Sequence, residues 1–399
     1  MINRFIFNEL RDNLKQTEID VLLGPRQVGK TTLLKELEKH AQNSGRQTSF
    51  FDLEQPQTLA EFNKPDSEIV ETLKKSGQTV FIDEFQYLKN ASKIFKAVYD
   101  SDHKIKIVCS GSSSLEIHRH LQESLAGRRM LFQIFPLRYS EILDSRRNFS
   151  LDSYLLYGGM PALTHTEDPK RKQKILSELL GAYILKDIKS LVKEENIRAF
   201  NHLLYLIAQN QGSVLSVHSM AKETNMSVKA VSRYFDILEA TFTCFPVHSY
   251  SNNLGNELKK SCKYYLYDLG IRNVILKDFS GVRGRKDEGA LLESFVFLNL
   301  KAMLLPNMEI KFWRTREGDE VDFVLLKDRR PVPIEVKTQM RSLEIPRGLK
   351  RFLLRYPETV RAFVVNRNLS GTSECGKCRV EFITYENFSK IKEFAVQAS

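Results

Sequence analysis

The eight residues Gly24-Pro25-Arg26-Gln27-Val28-Gly29-Lys30-Thr31 constrain this chain more than any others. They match the phosphate-binding loop pattern G-x-x-x-x-G-K-S/T. Upstream, the apolar run Ile19 to Leu23 predicts a buried strand. Downstream, Thr32 to His40 predicts a helix with Leu33, Leu34 and Leu37 on one face. The strand aims the loop, and the glycines let backbone N–H groups close around a phosphate. The helix N-terminus adds positive potential. In that arrangement Lys30 reaches the β- and γ-phosphates of ATP, and the Thr31 hydroxyl ligates Mg²⁺.

Hydrolysis also needs the cation held in place and a water aimed at the γ-phosphate. The run Thr79-Val80-Phe81-Ile82-Asp83-Glu84 supplies both, as a Walker B strand ending in acid. Asp83 would hold Mg²⁺ through water, and Glu84 would act as base for the attacking water. The next strand, Ile105 to Cys109, runs into Ser110-Gly111-Ser112. Ser112, with Ser110 as runner-up, is the candidate to touch both the γ-phosphate and the water. Arg128 is a candidate to stabilise transition-state charge, within the chain or on a neighbouring subunit. Strand candidates at 19–23, 48–53, 79–83, 105–109 and 130–135 alternate with helical patterns. That alternation predicts an α/β region with a mostly parallel sheet and helices on both faces. An amphipathic helix over residues 1–15 leads into it.

Three stretches together resemble a known family. They are Gly24 to Thr32, Phe81-Ile82-Asp83-Glu84, and Ala126-Gly127-Arg128 followed by Phe135-Pro136-Leu137. They are similar to the bacterial and archaeal AAA-type ATP-binding proteins that carry a characteristic C-terminal domain of unknown function. The resemblance covers nearly the whole chain. It implies a serine-ended strand between the Walker A and Walker B strands, and a winged helix in the middle of the chain. The layout expected is a P-loop ATPase domain over 1–150 and a helical lid or linker over 151–195. A winged helix over 196–255 and a nuclease-like domain over 256–399 follow.

From about 150 the pattern turns helical, punctuated by Tyr157-Gly158-Gly159-Met160-Pro161, with an apolar-periodic segment from Lys174 to Leu191. Ser216 to Thr224 predicts a short helix, Asn225-Met226 a tight turn, and Ser227 the N-cap of a helix over Val228 to Ala240. Val231, Phe235 and Leu238 give that helix its buried face, leaving Lys222, Lys229 and Arg233 toward solvent. Phe242 to Val247 and Tyr250-Ser251-Asn252 are the wing candidates. Helix, turn and helix of this kind can enter a major groove, so DNA is a candidate partner.

The C-terminal region holds a second constellation. Glu293 sits on a strong helical pattern at 288–303, and Asp322 on the strand Glu320 to Leu326. Pro333-Ile334-Glu335-Val336-Lys337 returns as the next strand. Two residues apart, Glu335 and Lys337 share one face, and a hairpin brings Asp322 alongside. Two neighbouring carboxylates can hold Mg²⁺ or Mn²⁺, with Glu293 completing the site. Lys337 can position or deprotonate a water for attack on a phosphodiester. The order helix-Glu, strand-Asp, Glu-x-Lys resembles the PD-(D/E)XK nuclease core of restriction endonucleases. Val321 stands where that core usually has proline. Trp313-Arg314 is a possible substrate contact or, for the sole tryptophan, core.

The formal net charge of +11 is compatible with a nucleic-acid partner. Five scattered cysteines exclude a disulfide scaffold, and Cys375-x-x-Cys378 has no second ligand pair nearby for zinc. The N-terminus lacks a signal-peptide core, and no apolar run approaches membrane-spanning length, so the cytoplasm is expected. Two functions fit. One is an ATP-driven, DNA-directed protein with a nuclease-like C-terminus. The other is a nucleotide switch or scaffold, homo-oligomeric or not, whose silent C-terminal region recruits a protein partner.

Overall fold

The computed structural model describes residues 2–112, 125–183, 197–251 and 262–391. The first five β-rich runs form strands β1 (Ile19–Gly24), β2 (Thr48–Asp52), β3 (Thr79–Asp83), β4 (Lys106–Ser112) and β5 (Arg129–Gln133). They make one sheet in the order β2-β3-β4-β1-β5, and every pairing is parallel. β1 and β3 are buried at every position, as strands covered on both faces are. All five strands end at one edge, which is where ligands reach open parallel sheets. The helix Lys30–Asn43 packs on the sheet through Leu33, Leu34 and Leu37. The leading helix Phe5–Asn13 buries Leu10 against it.

Helices Leu151–Tyr157, Pro169–Tyr183, Ile197–Gln209, Val217–Thr224 and Val228–Ala240 follow. The periodic segment read to Leu191 is helix to Tyr183; positions 184–196 lie outside the described residues. Asn225 takes the left-handed conformation that ends a helix, with φ 53°. Ser227 caps the next helix, its Oγ accepting from the Ala230 N–H at 3.1 Å. Val231, Phe235 and Leu238 are buried.

The remaining strands are β6 (Val214–Leu215), β7 (Cys244–Ser249), β8 (Cys262–Leu266), β9 (Met308–Arg314), β10 (Glu320–Lys327), β11 (Arg330–Val336), β12 (Arg361–Asn366), β13 (Gly371–Cys375) and β14 (Cys378–Thr384). They form a second sheet in the order β13-β14-β12-β11-β10-β9-β7-β8-β6. β7 pairs antiparallel with β8 and parallel with β9. The sheet therefore runs across position 255, where a domain boundary was expected. Asn252, read as part of the wing, lies outside the described residues.

Helix Glu288–Lys301 covers one face of this sheet, burying Leu291, Phe295 and Phe297 beside Phe323, Ile334 and Phe363. Helix Arg347–Arg355 covers the other with Leu349, Phe352 and Leu353, against Trp313, Val324 and Val364. Trp313 is core, 3% exposed. Cys375 and Cys378 face each other across the β13–β14 hairpin as free thiols. No helix among the described residues is long and apolar enough to cross a membrane.

Candidate functional site

The phosphate loop sits where β1 stops. Gln27 and Gly29 have φ of 58° and 96°, and that double turn to the left delivers the chain into the helix that begins at Lys30. A side chain at Gly24 would overlap the Ile134 carbonyl, so glycine is required for β1 to lie this close. The Lys30 ammonium is buried and donates to the Gly24 and Pro25 carbonyls at 3.0 and 2.9 Å. It is thus folded over the loop it would clear for a phosphate. Thr31 is half-buried and Thr32 exposed at the start of the same helix. Pro25 and Val28 are buried, and Arg26 is half-buried beside them. The loop is braced from behind by Arg4, which donates to the Val28 and Phe135 carbonyls at 2.9 and 2.7 Å and faces Glu141 at 3.4 Å.

Asp83 ends β3, and β4 separates it from β1 as expected. The register pairs Ile82 with Cys109, so Ser110 falls beside Asp83 and donates its hydroxyl to that carboxylate. Ser110, the runner-up candidate, is therefore the serine that meets Asp83. Ser112 pairs with Gly24 on β1, and its side chain lies outside the described residues. Glu84 holds a left-handed backbone, φ 54° and ψ 46°, unusual for a residue with a β-carbon. Its carboxylate accepts from the Gln86 amide.

Arg128 requires a correction. Ile19 pairs with Arg129, so Arg128 stands at the start of the parallel strands, whereas the loop follows their ends. Five residues of strand separate the two levels, roughly 16 Å. Arg128 is spent on Asp100 at 2.7 Å and on the Tyr99 ring. It cannot serve the nucleotide of its own chain.

In the second sheet Phe323 pairs with Ile334, which sets Asp322 directly opposite Glu335. A register shift between Val321 and Val324 marks a bulge in β10 at Asp322. One Asp322 oxygen accepts from the Val336 N–H at 2.7 Å. Glu335 Oε1 accepts from Lys337 Nζ at 2.6 Å, while Glu335 Oε2 is buried without a partner. Burial, and then the facing Asp322 charge, push Glu335 up to about 8. Burial also raises Asp322. Burial pulls Lys337 down, but Glu335, Asp322 and Glu293 together outweigh it and the net shift is upward. As an ammonium, Lys337 can position a water or offset charge.

Glu293 also requires a correction. Its carboxylate accepts from the Tyr265 hydroxyl at 2.5 Å and from Lys263 Nζ at 3.0 Å. Lys263 also reaches Glu320 at 2.6 Å. Lys263 and Tyr265 are two apart on β8, so one face of that strand meets Glu293 with a cation and a donor. Burial raises Glu293 to about 7 even so. Among the described residues no three His, Cys, Asp or Glu side chains stand together as a metal-holding group. The donors that fit a divalent cation are the Asp322–Glu335 pair, through the unpartnered Glu335 oxygen.

Comparison with known proteins fits this geometry. Residues 16–143 match the family described as AAA domain. Those residues hold the parallel sheet and the phosphate loop. Residues 148–281 and 288–385 match two domains of unknown function, DUF8612 and DUF4143. The chain is 26% identical over 378 residues to an uncharacterized protein of Methanocaldococcus jannaschii, covering 88% of this chain and 81% of that one. It is 25% identical over 361 residues to an uncharacterized protein of Mycobacterium tuberculosis, covering 87% and 78%. Among solved structures, AMPPCP-bound DnaA from Aquifex aeolicus aligns with 59% of this chain and 84% of its own, at 15% identity and a TM-score of 0.31. At that score the likeness carries nothing over to this chain.

The two sites also use residues that the sequence motifs do not announce. Arg4 lies in an otherwise ordinary amphipathic lead-in. Lys263 left a signal, a lysine inside the apolar run Cys262 to Leu266, but nothing local says that it meets Glu293.

Proposed function

We propose that this chain is a Mg²⁺-dependent ATPase whose nucleotide state drives or regulates a DNA-directed C-terminal cluster. The observation that carries the first half is the arrival of Lys30 and the Asp83-Glu84 pair at the same edge of one parallel sheet, with β4 between their strands. Thr31 and Asp83 would hold Mg²⁺, since a hydroxyl and a buried carboxylate already paired to a hydroxyl are the hard oxygen donors this ion takes. The ion supplies charge compensation on the phosphates. Lys30 leaves the loop carbonyls for the β- and γ-phosphates. Glu84 leaves Gln86 to accept the proton of the attacking water. Arg4 keeps the loop backbone in place throughout.

The second half is supported by the Asp322–Glu335–Lys337 arrangement, which suits a cation-assisted attack on a phosphodiester. One observation favours the other reading, a switch or scaffold with a silent cluster: Lys263 and Tyr265 already claim Glu293. Cleavage of DNA by the purified protein in Mn²⁺, lost in Asp322→Ala, separates the two.

The ATPase assignment is tested by two variants. Lys30→Ala removes nucleotide binding. Glu84→Gln keeps binding but slows turnover by about a hundredfold or more, because the amide cannot take the proton. Full turnover in Glu84→Gln would refute the base assignment.

A further inference from the structure

The DNA contact expected from the sequence lay on helix Val228–Ala240, through Lys229 and Arg233. Both side chains are exposed, but the same helix carries Asp236 and Glu239. A different helix is better suited. Arg347–Arg355 reads RGLKRFLLR, with four basic residues and no acidic one. Leu349, Phe352 and Leu353 anchor it on the second sheet. That anchoring turns Arg347, Lys350, Arg351 and Arg355 to solvent, all of them exposed. Helical spacing at i, i+3, i+4 and i+8 makes them a single ridge, roughly 12 Å from first to last.

The ridge joins two clefts. Its Arg347 end lines the cleft that holds Asp322, Glu335 and Lys337. Its Arg355 end lines a second cleft, together with exposed Arg314 at the end of β9 and Arg316 from the turn that follows. Gly348 fixes the helix there, because a side chain at that position would overlap the Glu320 carbonyl. Acids on the rim offset part of the charge: Asp319 sits 3.1 Å from Arg347 and 3.9 Å from Arg351.

We propose that this ridge, helix Arg347–Arg355 with Arg314 and Arg316, is a docking surface for the phosphate backbone of duplex DNA, laid along the mouth of the carboxylate cleft. The inference deepens the proposed function and rests on its DNA-directed half alone. The choice of duplex over single strand follows from the aromatic residues. Single-strand binders present exposed rings on which bases stack. Here Trp313, Phe352 and Tyr356 are buried behind the ridge. Tyr250 in the second cleft is half-buried, but among the described residues no ring on the ridge itself is exposed, so the surface offers chiefly charge, which reads backbone and not sequence.

The test measures binding of the full-length protein to a short duplex of arbitrary sequence, in EDTA to prevent cleavage, over a series of salt concentrations. The triple variant Lys350→Ala, Arg351→Ala, Arg355→Ala is compared with Lys229→Ala, Arg233→Ala. Each cation that neutralises a phosphate contributes about 0.9 to the slope of log affinity against log salt. The triple variant should lose roughly 2–3 from that slope and bind at least tenfold more weakly, while the double variant matches wild type. Unfolding midpoints close to wild type show that the variants are folded. An unchanged slope in the triple variant overturns the proposal, as does tighter binding of a single strand than of the duplex. No duplex binding by wild type at low salt also overturns it and leaves an acidic protein as the occupant. Nucleotide binding, followed on the same samples, reports the ATPase assignment separately.

Discussion

Replacing Glu335 by glutamine should make the protein more stable in alkaline solution. Burial and the facing Asp322 raise this carboxyl from 4.5 to about 8. The folded state therefore holds the proton more tightly than the unfolded chain. By linkage, the resulting cost is absent below pH 4.5, grows as pH rises, and is complete above about 8. At about 1.36 kcal/mol per pH unit, the full cost is roughly 5 kcal/mol for an isolated group. Asp322 and Glu293 sit in the same cluster and take back part of it as their own titrations shift. A net gain of about 2–3 kcal/mol at pH 9 is the expectation, or an unfolding midpoint about 4–10 °C higher. The amide suits the site: its oxygen can keep the Lys337 bond, and its NH₂ would replace the unpartnered oxygen with a donor. The assay is thermal unfolding of wild type and Glu335→Gln in EDTA at pH 5 and pH 9, because a bound cation would stabilise the wild type. Equal midpoints at pH 9, or the same gain at both pH values, would refute the reasoning. A variant that is more stable and yet no longer binds Mn²⁺ would mark a site that trades stability for ligand binding.

Two further outcomes are expected. Glu293→Gln should leave Mn²⁺ binding, read by titration calorimetry, within a few-fold of wild type, since Lys263 and Tyr265 already occupy that carboxylate; loss of binding would return Glu293 to the cation site. Gly158→Ala should lower stability by about 3–5 kcal/mol, seen as a lower urea midpoint, because it forces alanine into a backbone region open only to glycine and drives a methyl group into a buried carboxylate.

What could be read from the sequence was local. The loop at 24–31 is specified by its own residues and by the strand and helix that touch it, so Lys30, Thr31 and Asp83 fall at the expected ends of their elements. The placements that the sequence did not contain all depend on how distant strands align. Ser110 meets Asp83 because of the β3–β4 register, which a strand pattern does not contain. Arg128 falls at the wrong edge because β5 begins level with the start of β1, and Arg128 precedes it. Glu293 is taken by β8, a strand 30 residues away from it at Lys263. By contrast, the Asp322–Glu335 pairing was legible, since a short hairpin fixes its own register.

The Tyr157-Gly158-Gly159-Met160-Pro161 segment, which in sequence only punctuates a helical stretch, joins the two halves of the molecule. The Gly159 N–H donates to the buried Asp268 carboxylate at 2.8 Å, and the Gly159 carbonyl accepts from the Leu137 N–H at 2.8 Å. Asn273 donates to the Leu155 and Leu156 carbonyls at 2.9 Å each. On the nucleotide side, Pro161 lies 3.8 Å from where a side chain on Gly29 would begin. On the other side, Asp268 follows β8, the strand whose Lys263 and Tyr265 hold Glu293. One apolar core runs through both halves, from Leu22, Val28 and Leu33 to Phe245, Phe295 and Ile383. A close-packed interior of this kind transmits displacement and does not absorb it as a linker would. Cutting the chain at position 150 or 255 would divide that core, and the cut at 255 would also sever a hydrogen-bonded sheet. The phosphate loop and the carboxylate cluster therefore have to be assayed in the full chain, where one apolar core and these buried hydrogen bonds join the two sheets.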